Sequence, residues 1–102
     1  SVSLRGRALD NVFGELTRDS ADQAVFWVKG KQQKIEVIYG VKYPVAVVYA
    51  PVNQKADFIC FEPMTGITNA FNLAHRGVYK GLQTVAPGAS WQESYWVRPS
   101  GF

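Results

Sequence analysis

Three side chains of this sequence have the type and the setting to move a proton or to hold a polar ligand: Glu62, Asp10 and His75. Glu62 ends the apolar run Phe58-Ile59-Cys60-Phe61 and is followed at once by Pro63. Proline has no N–H and a fixed φ, and it pushes the residue before it into extended geometry. Glu62 is therefore expected at the last position of a strand over 57–62, where the chain leaves a sheet. Glutamate is a poor strand residue, but at a strand mouth it can face a cleft and take a proton. The plainer alternative is a solvated charge capping an exposed strand end. Alternation puts Phe58, Cys60 and Glu62 on one face and Ile59 and Phe61 on the other. A carboxylate beside two apolar groups is partly desolvated, which suits a general base near neutrality. Asp10-Asn11 is turn chemistry, because both side chains can bond nearby backbone. His75 follows Asn72-Leu73-Ala74 and reads as a surface or loop-packing histidine.

The elements that must position these groups are short strands. Ala24-Val25-Phe26-Trp27-Val28 and Lys34-Ile35-Glu36-Val37-Ile38-Tyr39 flank a polar turn at Gly30 and read as a hairpin. Pattern alone does not settle which of its faces is buried. Pro44 to Ala50 is a third strand, apolar on both faces and so expected to be covered on both sides. Asn53-Gln54-Lys55 is a polar turn before the strand that carries Glu62. Residues 66–77 read as loop, with one turn of helix near Asn69 to Ala74. Gly81 to Val85 is expected as a fifth strand, and Pro87-Gly88 as a turn. Ser90 to Arg98 is expected as a last strand, followed by a tail. Ser1 to Arg7 has no clear period and reads as loop or short strand. Six short strands with almost no helical period predict an all-β, antiparallel sandwich.

Composition narrows the function classes. The chain has 102 residues, enough for one small domain or a part of a larger one. Hydrophobic residues make up 47% and charged residues 19%, which rules out a disordered or charged tail. The net charge is only +3 and the cations are scattered, so nucleic-acid binding is not expected. Lys29, Lys31 and Lys34 bracket a turn and read as a solvated loop. The single cysteine, Cys60, allows no internal disulfide and reads as a buried structural thiol. No apolar stretch approaches the length of a membrane span, no signal peptide is visible, and no membrane partner is expected.

Several motifs in order carry a resemblance. Glu62-Pro63-Met64-Thr65, then Asn69-Ala70-Phe71-Asn72, then Val85-Ala86-Pro87-Gly88-Ala89-Ser90 and a tryptophan-bearing last strand resemble the C-terminal part of the aldose 1-epimerase (galactose mutarotase) family. Leu9-Asp10-Asn11-Val12-Phe13 resembles another segment of that family, so the likeness covers nearly the whole chain. It implies a large antiparallel β-sandwich of which this chain forms roughly the last third. It implies the interconversion of α and β anomers of an aldose by acid–base ring opening, with no metal and no cofactor. Glu62 matches the family's base and Asp10 its sugar-binding aspartate. Asn69 and Asn72 could bond sugar hydroxyls, although loop asparagines more often hold the loop itself. The family's acid is a histidine far upstream of the base, and His75 stands in the wrong place for it. The expectation is therefore an incomplete catalytic set, completed by a companion polypeptide, or self-association through open sheet edges. The competing expectations are a non-catalytic carbohydrate-binding sandwich and a self-associating structural domain.

Overall fold

The computed structural model describes residues 1–52 and 57–102. Its strands are β1 (Leu9–Phe13), β2 (Ala24–Lys29), β3 (Lys34–Tyr39), β4 (Val45–Ala50), β5 (Cys60–Met64) and β6 (Tyr95–Ser100), with one short helix, α1 (Ala70–His75). They form two antiparallel three-stranded sheets, ordered β1-β4-β5 and β2-β3-β6. The fold is all-β and sandwich-like, as the strand pattern predicts. The expected turn at Asn53-Gln54-Lys55 lies outside the described residues.

The most apolar strand, β4, sits in the middle of one sheet, and the hairpin partner β3 sits in the middle of the other. In β2 the exposed residues alternate with the covered ones, so Ala24, Phe26 and Val28 point inward and Val25, Trp27 and Lys29 outward. That settles the face the sequence left open: a β-branched or aromatic residue sits on either side, but only one side meets a second sheet. The core is Ala24, Tyr39 and Ala46, with Phe26, Val37 and Phe61 packed against it. The Phe26 and Phe61 rings, from opposite sheets, lie 5.7 Å apart. Arg18 ties the turn between β3 and β4, donating to the carbonyls of Asp22, Gly40 and Tyr43. Gly40 must be glycine there: a Cβ would lie 2.7 Å from the Ser94 carbonyl and collide with the Glu93 carboxylate.

Several expected elements differ. The Glu62 strand is Cys60–Met64, so Glu62 is its third residue and not its last. Pro63 is tolerated inside it because β5 is an edge strand, where a missing N–H can face the open side. Asp10-Asn11 lies within β1, not in a turn; pairing with β4 overrides its local turn chemistry. Gly81 to Val85 forms no strand. Its Gln83 instead reaches the Lys42 and Thr65 carbonyls and accepts from the Trp91 indole, and these bonds hold the segment as irregular chain. The last strand starts only at Tyr95 and takes in Pro99 and Ser100 from the expected tail. Trp91 stays outside it, packed edge-on against Tyr43 with 6.2 Å between rings. β4 is covered on its inner side, and on its outer side Val45 is buried and Val47 half-buried, so only Tyr49 departs from the expected cover.

Candidate functional site

Cross-strand register decides which side chains share a face. Asp10 pairs with Tyr49, and Tyr49 with Cys60. Val12 pairs with Val47, and Val47 with Glu62. Directly paired residues point the same way, and Phe61 on the inner face fixes the other parity. Asp10 and Glu62 therefore lie on the outer face of the β1-β4-β5 sheet, on its two edge strands. From strand spacing and rise, their Cα atoms are roughly 12 Å apart. Between them stands Tyr49, with Phe58 packed on it at a ring separation of 5.8 Å. Both rings are exposed, as are Asp10, Val12 and Glu62. Two carboxylates flanking an exposed aromatic pair is an arrangement that can accept hydrogen bonds from hydroxyls while an apolar ring face rests on the aromatics.

Glu62 is thus exposed, and the partial burial argued from its apolar neighbours in sequence is not found. Cys60 and Phe58 share its face, but neither they nor its half-buried pair Val47 cover the Glu62 side chain. The charge of Glu62 is still felt in the core: the Tyr39 phenol is held well above its ordinary range, by burial first and by the Glu62 carboxylate second. The Tyr39 hydroxyl has no hydrogen-bond partner among the described residues.

Asn69 and Asn72 belong to a different arrangement. Asn69 takes a left-handed backbone conformation (φ 61°) at the start of α1, and its side-chain oxygen accepts from the Asn72 amide at 2.6 Å. The two are exposed and bonded to each other, so they act first as loop and helix-start residues. His75 is exposed at the end of α1. Among the described residues no histidine lies on the Glu62 face.

A cleft of about 440 Å³ adjoins this face. It is lined by Gly14 and Glu15 after β1, by Val45 on the outer side of β4, and by Ile67, Tyr79 and Gln83 from the chain after β5. Val45 is one row beyond the Val47–Glu62 pair on the same face. A larger cleft of about 710 Å³ opens between the N-terminal segment and β2, and none of Asp10, Glu62, Asn69 and Asn72 lines it. No three ligating side chains among the described residues are grouped to hold a metal ion. No helix among them is long and apolar enough to cross a membrane. The pairing of Tyr49 with the Asp10 row is what sequence reading missed. Tyr49 lies in an apolar run, and only the register of β4 shows that it faces outward beside Phe58. Comparison with protein-family models, curated proteins and solved structures finds no match to this chain.

Proposed function

We infer that the outer face of the β1-β4-β5 sheet binds an aldose and that Glu62 is the base of an aldose 1-epimerase-like reaction. The observation that carries this reading is the register that sets Asp10 and Glu62 on one face with Tyr49 between them, and Phe58 packed on Tyr49. Asp10 accepts from ring hydroxyls. Glu62 accepts the proton of the anomeric hydroxyl, while an acid protonates the ring oxygen as the C1–O5 bond breaks. Rotation about C1–C2 in the open aldehyde and reclosure give the other anomer, and each proton returns to the group it came from. The acid is a histidine supplied by a missing or separate part, since His75 is at the end of α1. Asn69 and Asn72 serve as sugar ligands only if their mutual hydrogen bond opens.

A second reading, sugar binding without anomer exchange, is favoured by the exposure of Glu62, which leaves its carboxylate in water. Titration of the isotope-labelled chain with galactose and with glucose, followed by amide NMR, tests the shared premise. Shifts at residues 10, 49, 58 and 62 are expected, and shifts confined to other surfaces refute both readings. Anomer-exchange NMR on the saturated sample, with imidazole added in place of the acid that this chain does not supply, separates the two. Exchange above the buffer rate that depends on Glu62 supports the catalytic reading, and binding without it supports the second.

A further inference from the structure

β2 is an edge strand, paired with β3 on one side only. In the hairpin, the Gly30 N–H donates to the Gln33 carbonyl at 2.8 Å, so this is a hydrogen-bonded pair. Bonded and non-bonded pairs alternate along an antiparallel ladder. The bonded pairs of β2 with β3 are then those of residues 28, 26 and 24, with 35, 37 and 39. The backbone N–H and C=O groups of Val25, Trp27 and Lys29 consequently point away from β3, to the side where β2 has no neighbour in its sheet. These ports span about 13 Å of strand.

The 710 Å³ cleft lies along this edge, between β2 and the N-terminal segment. All five residues from Val25 to Lys29 line it, and Phe61 and Val48 from the facing sheet give it an apolar floor. Its charged lining is Arg5, Arg7 and Lys29, and among the described residues no carboxylate lines it. The molecule also exposes 7761 Å², against about 5,700 Å² for a compact monomer of this mass. Its radius of gyration is 16.0 Å, against about 13 Å for a compact domain of this length. The excess of about 2,000 Å² is the scale of one side of an obligate interface.

We propose that β2 binds, by strand addition in this cleft, an extended segment of a partner polypeptide that alternates apolar and acidic side chains. The segment's backbone pairs with Val25, Trp27 and Lys29, its apolar side chains rest on Phe26, Val28 and Phe61, and its carboxylates meet Arg5, Arg7 and Lys29. Backbone bonds supply the affinity and the alternating pockets the selectivity. This is independent of the sugar reading, because none of the sugar-face residues lines the cleft.

The test uses a capped synthetic peptide of alternating valine and glutamate, with hydrogen exchange read by NMR on the full chain. Slowed exchange at residues 25, 27 and 29 is expected, with the amides of β6 unchanged. The same peptide N-methylated at alternate backbone nitrogens cannot pair and is expected not to bind. Val25→Pro removes one port while sparing the bonds to β3, and is expected to abolish binding. The double variant Arg5→Glu, Arg7→Glu leaves the ladder intact and is expected to weaken binding about tenfold. Failure of the peptide to bind, binding without protection at those three amides, or equal binding of the N-methylated peptide overturns the proposal.

Discussion

Glu36 and Glu62 are each the third residue of a strand, and each points to the outer face of a three-stranded sheet. Their surroundings differ completely. Glu36 lies on the central strand between Lys34, 3.0 Å away, and Arg98, 2.8 Å away on β6. These partners, Arg98 foremost, hold its carboxyl below the usual carboxylate range. Glu62 lies on an edge strand, exposed, and has no ion pair among the described residues. One carboxylate is used up inside the protein and the other is presented outward. A carboxylate's fold position alone does not mark function; what distinguishes a site is the free acceptor beside a second carboxylate and an aromatic platform.

That contrast can be broken in four ways. The largest effect belongs to the neighbour of Glu62 that faces inward. Phe61→Ala is expected to cost about 2–3 kcal/mol, because the ring packs on Phe26 across the sandwich. Glu62→Ala, one residue on, is expected to stay within about 0.5 kcal/mol of the parent. Urea unfolding compares the two, and a costly Glu62→Ala would show that the residue is structural. Next, Asp10→Asn is expected to weaken aldose binding about tenfold by removing a charged acceptor, with stability unchanged; calorimetric titration measures it.

Tyr39→Phe is expected to be neutral or to stabilise by up to about 1 kcal/mol, since it removes a buried hydroxyl that has no partner among the described residues. Its pH dependence carries a sign. The unfolded phenol ionises near pH 10, whereas burial keeps the folded one neutral. Stability is therefore lost as pH rises above about 10, by about 1.4 kcal/mol per unit from this group, and Tyr39→Phe removes that loss. Alkaline denaturation of both proteins reads it directly. The smallest effect is Glu36→Gln. A lowered carboxyl contributes stability that is present above its unfolded value and lost as pH falls through the folded one. The gap between parent and variant is expected to be present at pH 7, to close as pH falls below about 4, and to shrink in high salt. Thermal melts across that range would show it, and a gap that widens on acidification would contradict the ion-pair account.

The sequence made the central strands legible and the edges less so. β2, β3 and β4 were readable because six-residue stretches rich in β-branched and aromatic side chains, each followed at once by Gly or Pro, have few other ways to fold. Reading Pro63 as a stop puts the end of β5 two residues early, because an edge strand accepts a proline; the strand also starts three residues later than the expected residue 57. Gly81 to Val85 has strand-like residues, but Gln83 is held by Lys42, Thr65 and Trp91, which no local pattern announces. Of the candidate site, the types of Asp10 and Glu62 were legible, and their common face was not. That depends on the two registers that join β1, β4 and β5, and pairing between distant segments is written in no single stretch. The mutual bond of Asn69 and Asn72 was foreshadowed by the habit of loop asparagines to bond locally.

The central claim is that Glu62 meets the anomeric hydroxyl of a bound aldose. The most direct measurement is a binding cycle by calorimetric titration: free galactose and its methyl glycoside, which lacks that hydroxyl, against the parent chain and Glu62→Gln. The parent is expected to prefer the free sugar about tenfold, as for a hydrogen bond to a charged acceptor, and the variant to lose the preference. An equal preference in both proteins, or no binding to either, would contradict the account.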